Sequence, residues 1–501
     1  MEKSIIVIGG GLTGLAAGCY GLMNGYRMSI FEMHDKAGGV CTGWKRKGYT
    51  IDGAMNWLIG TKPGFSYYKL WEELGAAQKW QVFNHDQYIL IENEIGKIFT
   101  MYFDTDRLEQ QMIEFAPEDE AVIREYCKAV RDCGRFDMPV DKPQELYSLT
   151  DNIKMIKMLP FLTFVRKWGK ISMVDYARRF KNTFLREVIS MSYEGEFADM
   201  PALSMPMILV WQQQQASGYV IGGALALVSY IQQRYLDLGG ELHLKARVEK
   251  ILVENDKAVG IRLADGTEHR SDFVISAADG RTTIFDMLDG KYIDEKIRSY
   301  YDNLGLFQPL VYIGLGVARK FDDIPPSVSG FAFPLEKPVT IAGKEHKNLN
   351  VLIDNFDPTL APEGKTVIKI QFNTDYDFWE KLYKEPERYK AEKEQIADTV
   401  VALLDKRFPG LAAQVEMRDV ATPMTWVRYT GNWKGSYEGW MFTTKTFMMQ
   451  MSKTLPGLNN FYMAGQWVNP GGGMSTAAMS GNHTIRLICN KDKRKFVTTT
   501  P

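Results

Sequence analysis

The sequence predicts an α/β protein whose first domain is built on a parallel sheet, and three observations predict it. A short apolar strand, Ile5-Ile6-Val7-Ile8, runs straight into Gly9-x-Gly11-x-x-Gly14 and a helix-forming stretch that begins at Leu12 and Thr13. A second strand, Met28-Ser29-Ile30-Phe31, ends on Glu32, eighteen residues past Gly14. Near the other end, Ala464-Gly465-Gln466-Trp467 and Pro470-Gly471-Gly472-Gly473 form a second glycine cluster ahead of another helix-forming stretch. In the first unit, one glycine permits the turn, the next lets backbone approach a pyrophosphate, and the third lets helix and strand pack closely. The free N–H groups and positive dipole end of the helix suit the pyrophosphate itself. A carboxylate at Glu32 binds ribose hydroxyls and repels a 2′-phosphate, which argues against NADP. The fold class is therefore α/β with an α+β second domain: a discontinuous Rossmann-type dinucleotide-binding domain beside a substrate domain of mixed sheet plus helices.

Size and composition bound the rest. A chain of 501 residues predicts two to three domains with ample core. Apolar residues at 45% and charged residues at 24% are ordinary for a globular protein. Sixty basic against sixty-one acidic residues leave net charge −1, so the balance points to no nucleic acid partner. No window reaches the roughly 18–20 uninterrupted apolar residues of a membrane span. The apolar run at the N-terminus is too short for a signal peptide and its glycines belong to the turn, so a cytoplasmic chain is expected. Five cysteines (Cys19, Cys41, Cys127, Cys133, Cys489) and six histidines show no metal-ligand spacing, so reduced thiols and no metal are expected. Cys41 stands out because it follows Gly38-Gly39.

The dinucleotide domain is expected from three pieces, residues 1–65, 219–285 and 455–490. The middle piece opens with a Gly222-Gly223 turn and a helix over 224–238. Strands at 241–244, 248–253 and 258–263 follow, the last two joined at Asn255-Asp256, and then a buried strand at 272–279. The substrate domain takes 66–218 and 286–454, with 491–501 as a C-terminal tail. Residues 66–218 read as mostly helical, with helices at 106–115, 117–131 and 173–186. The later piece mixes strands at 311–315, 349–353 and 366–370 with an amphipathic helix over 386–408.

With these motifs in order, the chain resembles the phytoene desaturase-like flavoproteins, relatives of carotenoid isomerase and retinol saturase within the amine-oxidase-like class. The resemblance rests on Gly9-x-Gly11-x-x-Gly14 with Glu32, Gly38-Gly39, Asp52-x-Ala54, Gly222-Gly223, the strand at Val248, Thr422-Pro423-x-Thr425, and Gly465-Gln466-Trp467 through Ser480-Gly481. It implies FAD as the cofactor. Glu32 would bind the adenosine ribose and the Val248 backbone the adenine. Gly38, Gly39 and the stretch Gly53-Ala54-Met55-Asn56 would approach the flavin. Gly465 would contact the ribityl-pyrophosphate region, with Gln466 beside it, and Gly473-Met474-Ser475 would lie at the isoalloxazine edge. A helix beginning there points its N–H groups at the pyrimidine side of the ring, where negative charge accumulates on reduction.

A dry cavity is the other requirement of flavin chemistry on carbon. Twelve per cent aromatics and twenty-five methionines include Pro206–Trp211, Trp426, Trp433, Trp440-Met441-Phe442 and Phe447-Met448-Met449, with 440–451 as a candidate tunnel lining. A polyene or acyl chain fits such a lining better than a small polar molecule. Residues 153–181 interleave apolar and basic side chains (Met155-Ile156-Lys157-Met158-Leu159-Pro160-Phe161-Leu162, then Phe164-Val165-Arg166-Lys167-Trp168 and Lys170). That pattern suits either a peripheral membrane contact or a helical hairpin with a solvated basic face. Candidates for acid or base work by placement are Glu194, with Tyr193 and Glu196 beside it, and Arg428, Tyr429 and Asn432.

The expected function is FAD-dependent hydride transfer at carbon–carbon bonds of an apolar isoprenoid or fatty acyl lipid: desaturation, saturation or redox-neutral isomerisation. Two alternatives stand beside it. A flavin amine oxidase is expected to carry a lysine on a substrate-domain strand near the flavin, and residues 310–317 contain none. A non-enzymatic prenyl-binding protein of this architecture, like the GDP-dissociation inhibitors, would have lost the flavin loops, which here are intact.

Overall fold

A computed structural model of the chain describes residues 2–135, 137, 139–151, 156, 158–190 and 198–501. Its centre is a five-stranded parallel sheet in the order Glu241–His243, Arg27–Phe31, Ser4–Ile8, Phe273–Ser276 and Phe461–Met463. These strands come from residues 4–31, 241–276 and 461–463, so chain segments more than four hundred residues apart in sequence share one sheet. Ile5, Val7, Met28, Ile30 and Ile275 are fully buried, as strands covered on both faces require. The helix Leu12–Met23 packs between Gly223–Asp237 and Met474–Lys491. Gly14 permits that packing: a β-carbon there would lie 2.0 Å from the Gly9 carbonyl oxygen. Beside this layer stands a three-stranded antiparallel sheet, Val248–Glu254, Lys257–Leu263 and Glu268–Arg270.

The second domain is organised on a seven-stranded sheet in the order Val415–Ala421, Leu310–Val317, Thr366–Asn373, Lys344–Ile353, Phe331–Ile341, Gln87–Glu92 and Ile98–Tyr102. Strands were expected at the second, third and fourth of these positions. The last two were not expected; among its described residues the stretch 66–218 is otherwise mostly helical, as read. Gln87–Glu92 pairs in parallel with a strand about 240 residues away, Phe331 against Leu90 and Ala332 against Ile91. The strand Phe331–Ile341 was itself hidden by Pro334 and Pro338, which the sheet accommodates through an irregularity between Pro334 and Val339.

The helix Thr105–Phe115 and the turn plus helix Pro117–Cys133 form as expected. The single helix expected over 173–186 is instead two, Met173–Ala177 and Thr183–Ser190. The buried Asp119 carboxylate accepts the N–H groups of Lys181 and Asn182, each at 2.8 Å, and the Asn182 side chain accepts from Leu185 N at 3.0 Å. Those bonds stop one helix and start the next. The C-terminal residues 491–501 dock rather than trail: Asn24 exchanges hydrogen bonds with Val497 at 2.8 and 2.9 Å, and Lys3 pairs with Asp492 at 2.6 Å.

Candidate functional site

Between the two domains lies a cavity of about 1960 Å³, far above the 300–1,000 Å³ that holds one drug-sized ligand. Its dinucleotide side is built from glycine turns and two helix N-termini. Gly9, Gly11, Leu12 and Thr13 line it, as do Glu32, Gly38, Gly39, Asn56 and Val248. From the end of the chain come Gly465, Gln466, Gly473, Met474 and Ser475. Gly14 and Met55 do not reach the surface: Gly14 does its work in packing, and Met55, 1% exposed, sits in the core behind the wall.

The Glu32 carboxylate is held in place by backbone. Oε2 accepts from Gly10 N at 2.7 Å and Oε1 from His34 N at 2.8 Å. Burial pushes its carboxyl up, and those N–H donors oppose the shift. The first glycine loop is closed by Gly38 N donating to Gly10 O at 2.9 Å. Further along, Asp52 shapes the wall at 53–56: Oδ1 accepts from Ala54 N and Met55 N at 3.0 Å, and Oδ2 accepts from Ala224 N at 3.0 Å and Tyr219 Oη at 3.2 Å. Cys41 lines the cavity beside Met474, its Sγ 3.5 Å from the methionine sulfur, and burial raises its thiol pKa.

A cofactor with a diphosphate and a reducible ring fits these features. The helix Leu12–Met23 begins at Gly11 with no side-chain cap and no acid in its first turn, and the helix Met474–Lys491 begins at Gly473 in the same way. Gly473 has φ +87° and no atom within 4 Å of a would-be β-carbon, so backbone there is open to a ligand. Two uncapped N-termini facing one cavity leave N–H groups suited to a bound anion or a polar ring edge.

The opposite wall is apolar. Helix Leu159–Gly169 contributes Phe161, Leu162 and Val165; helix Ser204–Gln213 contributes Ser204, Met207, Ile208 and Trp211; the segment 442–449 contributes Phe442, Phe447, Met448 and Met449. Phe161 and Trp168 are turned inward and buried, whereas Arg166, Lys167 and Lys170 are exposed. Of the catalytic candidates, Glu194, with Tyr193 and Glu196, lies outside the described residues, as do Met155 and Lys157. Arg428 lines the cavity near Glu32: Tyr429 packs edge-on against His34 at 4.8 Å, and Arg428 donates to the Tyr429 hydroxyl at 3.1 Å. Asn432 holds a turn, donating to Ser436 O at 3.0 Å.

The strand Leu310–Val317 carries no lysine, but its neighbour does. Lys369, opposite Gly314, forms a buried ion pair with Asp354 at 3.0 Å and is absent from the cavity wall. Its distance in sequence from Asp354 and its sheet setting gave no signal that reasoning from motifs could use.

The parallel sheet, the paired glycine loops and the shared cavity define a two-domain flavoprotein that holds one dinucleotide along its domain interface. The chain belongs to the flavin-containing amine oxidoreductase family, whose pattern matches residues 12–488. Its cofactor is FAD. Among curated relatives, a chloroplastic prolycopene isomerase of Arabidopsis thaliana is 24% identical over 95% of this chain and 81% of its own. A neurosporene-forming phytoene desaturase of Rhodobacter capsulatus is 26% identical over 97% of this chain and 94% of its own. Among solved structures, an oxidoreductase from Methanosarcina mazei matches with TM-score 0.60 at 17% identity, covering 96% of this chain and all of that one. Cyclohexylamine oxidase from Brevibacterium oxydans matches with TM-score 0.59 at 13% identity, covering 99% and 100%. At those identities the two structures show a shared fold.

Proposed function

We propose that this enzyme acts on carbon–carbon bonds of a long apolar isoprenoid, desaturating it or isomerising its double bonds. One observation carries the reading: the loops that hold the flavin open directly, within one cavity, onto a wall of methionine, leucine and aromatic side chains. When bound, FAD supplies a two-electron acceptor or donor for hydride. The chain's own residues exclude water, align an extended chain along the Phe161, Met207 and Trp211 wall, and present the N-terminus of the Met474 helix to developing negative charge. Two relatives named for carotenoid isomerisation and desaturation support this reading over amine oxidation. The test is anaerobic incubation of FAD-loaded protein with phytoene and with prolycopene in phosphatidylcholine vesicles, read by product chromatography and flavin absorbance. A changed double-bond pattern in either polyene supports the proposal; unchanged lipids and an unchanged flavin, with peroxide release from amines, would replace it with amine oxidation.

Such lipids are delivered from membranes, and the cavity mouth fits that supply. Met448, on the wall, is 59% exposed, and Leu149, Ile156 and Leu159 stand exposed close to the lining residues Tyr147, Met158 and Phe161. The exposed cations Arg166 and Lys167 lie on the same helix as Leu159, and Lys170 lies at its end. Among the described residues no helix is long and apolar enough to cross a membrane, so contact is proposed at the surface. Five unpaired, buried cysteines suit a reducing compartment, in keeping with a cytoplasmic setting.

A further inference from the structure

Desaturating or saturating a carbon chain by hydride transfer leaves a proton to be accepted or supplied, and none of the residues described so far does that. Among the described residues, the charged groups on the cavity wall fall into two sets. Glu32, Arg247, Glu249, Lys250, Asp279 and Asp286 belong to the dinucleotide domain, and Arg428 lines the wall near Glu32. The remaining one is Glu438.

Glu438 is built into place. It sits on the turn Ser436–Gly439, closed by Gly439 N donating to Ser436 Oγ at 3.0 Å and Ser436 Oγ donating to Gly439 O at 3.1 Å. Phe307 N donates to Gly439 O at 3.0 Å from one side, and Gly471 N donates to Trp440 O at 3.1 Å from the other. The glutamate is thereby pressed onto the glycine loop that feeds the Met474 helix. A β-carbon on Gly472 would lie 2.7 Å from Glu438 Cβ and 3.0 Å from its Cγ. No cation and no hydrogen-bond donor among the described residues engages its carboxyl, and burial pushes that carboxyl up to about 7. The groups around it are Gln466 and Asn469 on the glycine loop, Phe307 opposite, and Tyr437 on its own turn. Tyr437 is the titratable neighbour that feels its charge.

We propose that Glu438 is the group that exchanges the substrate proton, an inference that rests on the carbon–carbon chemistry above. In desaturation, one C–H bond of the lipid must lose its hydrogen with both electrons, and bound FAD would supply the two-electron acceptor for it. The C–H bond on the adjacent carbon breaks toward a Glu438 carboxylate oxygen. Its electron pair stays on the skeleton as the new double bond, and its proton becomes the carboxyl O–H. In saturation the same proton returns to carbon. A carboxyl without an ion-pair partner is free to change charge during this exchange, and an acid whose proton equilibrates near neutral pH serves both directions.

The test compares wild type, Glu438→Gln and Glu438→Asp, all loaded with FAD, in two arms. The first needs no lipid: the visible flavin spectrum is titrated from acid to alkaline pH. Wild type is expected to show an inflection near pH 7 that Glu438→Gln abolishes and Glu438→Asp moves. The second measures phytoene turnover in vesicles. Glu438→Gln is expected to lower kcat by at least about 100-fold with KM and flavin content unchanged, and Glu438→Asp to recover part of it. Wild-type titration retained in Glu438→Gln, or turnover within about threefold of wild type, would overturn the proposal. A flavin inflection lost in Glu438→Gln while wild type ignores both phytoene and prolycopene upholds the proton site and removes the substrate reading instead.

Discussion

Gly481 of the last helix lies against Thr13 of the first: a β-carbon on Gly481 would sit 2.6 Å from the Thr13 carbonyl oxygen and 2.7 Å from Ala17 N. Backbone meets backbone there, so neither side has a flexible group to move away. That contact sets the spacing between the two helix N-termini that face the cavity. Gly481→Ala is therefore expected to destabilise the fold by about 1–3 kcal/mol and to lower flavin retention. Thermal unfolding and the ratio of flavin to protein absorbance check it; an unchanged melting temperature with full pigment would show that the helices are free to separate.

Ser480, one residue earlier, fastens the second glycine loop. Its Oγ accepts from Gly465 N and from Asn469 Nδ2, both at 2.8 Å, and it is fully buried. Ser480→Ala strands both donors, a loss of about 1–3 kcal/mol each where no water replaces the hydroxyl. The expected result is FAD binding weakened by roughly tenfold or more with secondary structure intact. Titration of the apoprotein by calorimetry measures it.

Two buried imidazoles make the protein sensitive to acid. Burial lowers His85 and His483 from 6.5 to about 4, and His483 also bonds Val140 O at 2.8 Å. Unfolded, each takes up a proton near 6.5; folded, each resists down to about 4. The unfolded state binds more protons in that window, so stability is complete above it and falls as pH drops through it. The expected slope is up to about 1.4 kcal/mol per pH unit for each histidine. Urea unfolding of wild type and His483→Gln at several pH values reads the difference. Taking that difference separates the imidazole from Asp354, whose carboxyl burial pushes up to about 6.

Surface docking at the cavity mouth makes a prediction of its own. Leu149→Glu with Leu159→Glu places two charges on exposed apolar positions outside both the core and the cavity wall. Co-flotation with anionic vesicles is expected to fall at least fivefold, and turnover of detergent-solubilised polyene to change little. Equal flotation of wild type and variant would move the membrane contact elsewhere.

How much of this was legible in the sequence follows from the range of each signal. The dinucleotide domain announces itself locally, because the turn, the helix start and the carboxylate at the end of the second strand occupy one stretch from Gly9 to Glu32. The seven-stranded sheet does not: Leu90 finds Phe331 only when the chain folds, and neither strand predicts its partner. The split of the expected 173–186 helix depends on Asp119, more than sixty residues upstream. Lys369 stands on a strand paired with Lys344–Ile353, and Asp354 is the residue just past that strand's end; nothing in their spacing says so. Arg428 and Tyr429 were singled out by their place in a segment expected to border the cavity; that Tyr429 packs against His34, close to Glu32, is visible only in the fold. Glu438 carries no motif; its place on the cavity wall and its seat on Gly472 single it out, and both exist only in three dimensions.

The measurement that bears most directly on the account is the flavin content of purified protein after reconstitution with excess FAD. One FAD per chain is predicted in wild type. Gly14→Ala, whose β-carbon would meet the Gly9 carbonyl at 2.0 Å, is predicted to lose it. A wild-type chain that is folded by circular dichroism and still colourless under these conditions would contradict the claim that its two ends close around one flavin.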